Sequence, residues 1–294
     1  MSALAEKFII DVAQSNHQCA VCAAPAEPWD DVDGFPFTEC PSCGSIAIAA
    51  EFMSKVDMGE SLRHYDHDYW QNEIRSAKER CWGGSVARAA EAILLCRRPV
   101  DAFVDLGCGS GDLLDSLSFY LPASRNKLFG VEMFPPNYHS THPGFIKSGI
   151  AEVDREFDCG VYIEVIEHLT PAMLDSFVAG LAKCALPNSF FIFNTGLAPY
   201  VNNEDKGYID PIRRGHIVSY GWNAIERIYG RHGFAIRRLG NRDWAFGAEY
   251  SPDHQMTIGE RTWLPLAENG RMLDDPITGS VTAILARESM RAYE

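Results

Sequence analysis

The stretch Phe103-Val104-Asp105-Leu106-Gly107-Cys108-Gly109-Ser110-Gly111-Asp112-Leu113-Leu114 reads as a hydrophobic strand, a glycine-rich turn and the start of a helix. Glycines let a backbone approach a ligand closely, and the helix N-terminus that follows is electropositive. Glu132 stands 21 residues after Gly111, at the end of the next predicted strand, where a carboxylate can grip both hydroxyls of a ribose. The glycines run G-x-G-x-G, unlike the G-x-G-x-x-G of a nicotinamide-binding loop. Asp105, two residues before the first glycine, and Asp112, directly after the last, suit a cationic ligand better than a pyrophosphate.

Beyond Pro99, short β-rich runs at 102–106, 128–132, 160–163, 190–194, 234–239 and 281–286 alternate with helical stretches. That alternation predicts an α/β fold with a mostly parallel sheet, in which ligands collect outside the carboxyl ends of the strands. Residues 61–98 read as helical. Ala87, Ala89, Ala90, Ala92, Ile93, Leu94 and Leu95 are mostly good helix formers, and Arg97-Arg98-Pro99 supplies cations and a stop.

A chain of 294 residues, 46% hydrophobic and 22% charged, can bury one large core or a core with a small appendage. No stretch reaches the roughly 18 uninterrupted apolar residues of a membrane helix. Residues 1–16 lack the basic start and long apolar middle of a secretion signal, so the cytoplasm is the expected compartment. A net charge of −14 argues against general binding to nucleic acid, where phosphate neutralisation supplies most of the affinity. Charge is unevenly spread: residues 1–60 hold 2 basic against 10 acidic side chains, whereas 213–242 hold seven arginines and one acid, Glu226. Those arginines either coat exposed faces or receive an anion.

Cys19-Ala-Val-Cys22 and Cys40-Pro-Ser-Cys43-Gly44 are two C-x-x-C knuckles with 17 residues between them. Two knuckles complete the tetrahedral thiolate set that zinc prefers, and four protein ligands leave no open position, so the site is expected to be structural. The glycine after the second knuckle suits the tight turn that aims backbone N–H groups at the sulfurs. Cys81, Cys96, Cys108, Cys159 and Cys184 are scattered and read as small apolar fillers.

At this point the chain resembles the class I S-adenosylmethionine (SAM) dependent methyltransferases, over roughly residues 100–294. Val104 to Gly111 is similar to the first motif of that family and Gly130-Val131-Glu132-Met133 to its second. Phe157-Asp158-Cys159-Gly160-Val161-Tyr162-Ile163-Glu164-Val165-Ile166-Glu167-His168-Leu169 resembles the segment after strand 4, Leu186-Pro187-Asn188-Ser189-Phe190-Phe191-Ile192-Phe193 the strand-5 segment, and Tyr229-Gly230-Arg231-His232-Gly233-Phe234 the turn into strand 6. The resemblance implies a Rossmann-like, seven-stranded sheet with an antiparallel last strand, a place residues 281–286 would fill. The expected organisation is a zinc-ribbon segment over 1–60, a helical linker or lid over 61–100 and the methyltransferase domain over 101–294.

Carried across, the resemblance implies that Asp105, Gly107, Cys108, Gly109 and Gly111 cradle SAM, that Glu132 holds the ribose hydroxyls and that Met133 lies against adenine. Many members carry an acid after strand 3 that reads the adenine amino group; here that region is Lys147-Ser148-Gly149-Ile150, and backbone or Ser148 would have to substitute. The segment His64-Tyr65-Asp66-His67-Asp68-Tyr69-Trp70 either closes over SAM, with Tyr69 in contact, or packs the ribbon onto the main domain.

Glu164, Glu167 and His168, at offsets 0, 3 and 4, would share one face of a helix starting after strand 4. Arg213-Arg214-Gly215-His216 resembles a segment that brings a histidine to the pocket rim. E-V-I-E-H with a distant histidine also looks like magnesium-dependent small-RNA 2′-O-methyltransferases and ubiquinone-pathway O-methyltransferases. Three roles stay open for this cluster. His168 or His216 acts as a general base or orients the substrate, with Glu164 as a further candidate catalytic residue; a second divalent ion sits on Glu164, Glu167, His168 and His216; or the cluster is structural. The expected function is SAM-dependent methyl transfer to O, N or C of a small molecule, a sugar, a nucleotide-linked sugar or a secondary metabolite. The alternative is an RNA-directed methyltransferase that uses the ribbon for recognition, against which the acidic ribbon argues. A non-enzymatic scaffold with a degenerate fold is disfavoured by the intact loop and Glu132.

Overall fold

Apolar runs that would be insoluble as isolated strands pair into two sheets in the computed structural model, which describes residues 18–60, 62, 75–76, 78–274 and 281–291. In chain order the strands are β1 (Glu27–Val32), β2 (Phe35–Glu39), β3 (Ile46–Ile48), β4 (Phe103–Leu106), β5 (Leu128–Glu132) and β6 (Phe145–Lys147). They continue with β7 (Phe157–Ile163), β8 (Ala185–Asn194), β9 (Val218–Ser219), β10 (Phe234–Arg238) and β11 (Ala245–Tyr250). The chain divides into two units. A ribbon unit gathers Met1–His64, Ile166–Asp175 and Thr195–Ile228, and a sheet unit gathers Tyr65–Val165, Ser176–Asn194 and Tyr229–Glu294. Residues 166–175 and 195–228, placed by the sequence inside one domain over 101–294, thus group with the ribbon.

In the sheet unit the strand order is β10-β11-β8-β7-β4-β5-β6. β4 to β8 run parallel, and β11 is antiparallel to both of its neighbours. The chain steps from β4 outward to β5 and β6, then returns to β7 and β8 on the other side of β4. The carboxyl end of β4 is therefore the switch point where such sheets bind ligands. The fold is α/β and Rossmann-like, with seven strands as expected.

The strand expected at 281–286 is instead the start of the helix Val281–Met290, and the antiparallel strand is β11. Thr282, Ala283, Ala286 and Met290 are the buried positions of that helix, a spacing of one helical face. They pack on the helix Gly84–Leu95, whose Val86, Ala89, Ala90, Ala92, Ile93, Leu94 and Leu95 are all buried. The run expected to be helical before Arg97 is therefore a core helix. Arg98, read as a terminal cation, instead pairs with Asp158 at 2.5 Å, and Asp158 also accepts the N–H groups of Asp101 and Ala102.

Two of the seven arginines over 213–242, Arg237 and Arg242, answer buried acids from elsewhere in the sequence. Arg237 and Arg261 both pair with the fully buried Glu249, at 2.9 and 2.7 Å, and Arg242 pairs with the fully buried Glu91 at 3.1 Å. A buried carboxylate is tolerated only when compensated in this way.

In the ribbon unit the sheet order is β1-β2-β3-β9, every pair antiparallel. Strand β9 joins a sheet begun about 170 residues earlier, at Ile46↔Ser219 and Ala47↔Val218. Among the described residues no helix is long and apolar enough to cross a membrane.

Candidate functional site

The glycine loop leaves the carboxyl end of β4 with Gly107, Gly109 and Gly111 at φ of +64°, +55° and +83°. Left-handed backbone at three alternate positions requires glycine, and sterics add to the requirement at two of them. A Cβ on Gly107 would sit 2.9 Å from the Tyr162 ring, and one on Gly111 would sit 2.7 Å from Ser140 Cβ. A Cβ on Gly109 would meet nothing within 4 Å, so the middle of the loop faces open space. The helix Asp112–Tyr120 follows with no side chain capping its N-terminus.

Glu132 closes β5, the parallel neighbour of β4. Its Oε2 accepts the Gly109 N–H at 3.0 Å and its Oε1 the Phe134 N–H at 2.8 Å. Each oxygen keeps a lone pair for a further donor, which is what a pair of ribose hydroxyls needs. Asp105 on β4 is buried, and burial together with the Glu132 charge pushes its carboxyl up to about 8. Ser110 Oγ donates to Asp112 at 2.5 Å. The loop is thus flanked by three acids, Asp105, Asp112 and Glu132, a donor set that fits a sulfonium and an amino group and opposes a phosphate.

Cys108 Sγ fills the space beside Gly130, where a Cβ would meet it at 2.9 Å, and burial and Asp105 hold the thiol well above its ordinary range. Its side chain is packing; only its backbone belongs to the loop. Met133 and Phe134 stand 53% and 75% exposed beyond Glu132. Ser148 Oγ donates to Gly149 O at 3.0 Å, which leaves its lone pairs to face an amino donor. Tyr69, with the rest of the His64–Trp70 stretch, lies outside the described residues.

In the ribbon unit Glu167, His168 and His216 bring one ligand atom each to within 4.8 Å of one another. Glu164 is not of that group. Its backbone is left-handed, at φ +54°, its carboxylate accepts from Asn194 Nδ2 at 2.8 Å, and the turn Ile166–His168 is a 3-10 helix. The α-helix begins only at Pro171, so the offsets expected to put Glu164, Glu167 and His168 on one helical face do not apply.

His168 Nδ1 lies 3.0 Å from Gly215 O and His216 Nδ1 lies 2.7 Å from Tyr208 O. A carbonyl only accepts, so both rings carry a proton on Nδ1 and turn their Nε2 edges toward Glu167. The two Nε2 atoms stand 3.8 and 3.7 Å from Glu167 Oε1, an oxygen that is buried and has no hydrogen-bond partner. Glu167 Oε2 accepts from Thr195 Oγ1 at 2.9 Å, and burial pushes the carboxyl up to about 7. One nitrogen from each ring and one carboxylate oxygen thus face one another, a set of atoms of the kind that binds a divalent ion. Thr195 and Tyr208 were missed in the sequence because neither sits in a recognisable spacing.

Cys19, Cys22, Cys40 and Cys43 also converge, with Cys19–Cys43 and Cys22–Cys40 sulfurs both 3.6 Å apart. Gly44, at φ +72°, makes the tight turn, with its N–H on Cys40 O. The Cys43 thiol is lowered to about 5 by hydrogen bonds from Cys19 and Ser45, and Cys19 is raised by holding the shared proton. Four sulfurs at this spacing, one already an easy thiolate, fit zinc.

No protein-family model and no curated protein matches the chain. Among solved structures, DesVI from Streptomyces venezuelae is 13% identical, with 64% of this chain and 99% of that one covered at a TM-score of 0.45. The magnesium protoporphyrin IX methyltransferase ChlM from Synechocystis PCC 6803, with bound SAM, is 17% identical, with 68% and 91% covered at a TM-score of 0.39. The sugar N-methyltransferase KedS8 from Streptoalloteichus sp ATCC 53650 is 12% identical, with 65% and 94% covered at 0.44.

Proposed function

We propose that the chain is a SAM-dependent methyltransferase acting on a small molecule, a sugar, nucleotide-linked sugar or secondary metabolite, at O, N or C. The observation that carries this reading is the Glu132 carboxylate bonded to the Gly109 N–H at the carboxyl ends of adjacent parallel strands. The loop and the carboxylate are held together before any ligand arrives, so binding does not have to order them. When bound, SAM supplies an electrophilic methyl group on a cationic sulfur. Glu132 holds the ribose, the glycine backbone takes the rest of the cofactor, and Asp105 meets the positive charge.

Glu167, His168 and His216 are proposed to serve the acceptor. Either they hold a divalent ion, or one unprotonated Nε2 takes the acceptor's proton. An acidic ribbon argues against an RNA substrate, whose phosphates it would repel. The four thiols are proposed to hold a structural zinc. Calorimetry with SAM tests the main reading: binding in the micromolar range supports it, and no heat from either SAM or S-adenosylhomocysteine sinks it. Metal analysis and loss of turnover on chelation, restored by Mg²⁺ or Mn²⁺, separate the ion from the base.

A further inference from the structure

Within the ribbon unit, one residue touches both the thiol knuckle and the segment that carries His216. Ser45 is almost wholly buried; its carbonyl accepts the Cys40 N–H at 2.9 Å, and its hydroxyl accepts the Gly221 N–H at 2.9 Å. Gly221 lies with its backbone on the knuckle. A Cβ there would fall 2.3 Å from Cys43 O and 2.4 Å from Gly44 C, so no other residue allows the approach. Asn223 Nδ2 adds a bond to Ser42 O at 3.3 Å.

The connection continues through backbone. After the knuckle, β3 pairs with β9, and Ile48 N–H donates to Ile217 O at 2.9 Å. Ile217 N–H in turn donates to Glu167 O at 3.0 Å, and the preceding residue, His216, is seated by its bond to Tyr208 O. The path from the knuckle to His216 thus runs through hydrogen bonds between buried groups joined by short runs of chain. Such bonds hold only while both partners keep their places.

We propose that Ser45 and Gly221 are positioning residues that tie the four-thiol site to the Glu167–His168–His216 group, so that filling the thiol site sets how firmly His216 is seated. The inference rests on the reading of Cys19, Cys22, Cys40 and Cys43 as a zinc site. A metal on the four sulfurs fixes the Cys40–Ser45 turn against which Gly221 rests, so occupancy tightens the first link.

The test follows amide hydrogen exchange over residues 208–223 together with the rate at which diethylpyrocarbonate modifies His216, with zinc measured in every sample. Removing zinc from the wild-type chain is expected to speed both by about tenfold and to leave residues 157–163 and 185–194 protected; returning Zn²⁺ restores both rates. Ser45→Ala is expected to keep one zinc yet speed exchange at Gly221 and Ile217 by about fivefold, the loss of one buried hydrogen bond. Asn223→Ala, an exposed change that cannot disturb the core, gives a smaller effect of the same sign. Unchanged protection of 208–223 and of His216 when 40–48 has lost its own overturns the proposal. If the chain carries and takes up no zinc, the zinc reading falls, and Ser45→Ala alone then decides the tie: unaltered exchange at Gly221 refutes it.

Discussion

Asp105 gives the most exposed test of the cofactor site, because its charge is held in check by its surroundings. Burial first and the Glu132 charge second push its carboxyl up to about 8. Near neutral pH most molecules therefore carry a neutral Asp105, and a cationic ligand must draw the proton off as it binds. If SAM binds only to the ionised form, its apparent Kd scales with 1 + 10^(8 − pH), so affinity should improve by about 50-fold from pH 6 to pH 8. Calorimetry at the two pH values in buffers of different ionisation enthalpy reads both the affinity and the released proton. Asp105→Asn should bind more weakly at pH 8 and lose this dependence, whereas any dependence arising on the ligand persists in the variant and can be subtracted. The stability effect has the same origin. Between the ordinary aspartate range and pH 8 the folded chain binds more protons than the unfolded one, so Asp105 costs stability as pH rises. The variant should melt higher than wild type at pH 8.5, by a margin that narrows as pH falls and closes only below the ordinary aspartate range. Equal wild-type affinities at pH 6 and 8, or the same ratio in Asp105→Asn, would refute the placement of the sulfonium beside this carboxyl.

Glu132→Ala removes a charge-assisted pair of hydrogen bonds and should weaken SAM by about one to two decades, read by calorimetry, with the fold unchanged by circular dichroism. Protein purified without chelator should hold one zinc by elemental analysis, and Cys40→Ser should lose it. Glu167→Gln should abolish Mn²⁺ uptake measured by electron paramagnetic resonance without moving SAM affinity; retained uptake would place the ion elsewhere. Gly247→Ala should cost about 1–3 kcal/mol in thermal unfolding, because its Cβ would fall 2.4 Å from the Phe190 ring.

The cofactor loop was legible because its requirements are local. Each glycine answers a backbone angle set within a few residues, and Glu132 follows at the distance one strand–helix–strand unit fixes. The misreadings share the opposite property. Residues 281–286 are apolar and partly β-branched, and nothing inside that window distinguishes a strand from a helix; burial of Ala286 and Met290 against the helix Gly84–Leu95 decides it. The true antiparallel strand, Ala245–Tyr250, hides behind Gly247 and Glu249, residue types poor in strands. Gly247 is there because Phe190 leaves no room, and Glu249 because Arg237 and Arg261 neutralise it from both sides. Glu164 failed for a third reason: the offset argument needs a helix that starts at once, and Pro171 at the first helical position marks a later start that the sequence did contain. The Glu167–His168–His216 convergence needed both kinds of knowledge. The residue types were visible, but their ligand atoms meet only because the Gly215 and Tyr208 carbonyls orient both rings. That orientation sets both Nε2 atoms, at 3.8 and 3.7 Å, beside a buried carboxylate oxygen that has no hydrogen bond, a juxtaposition no spacing in the sequence announces.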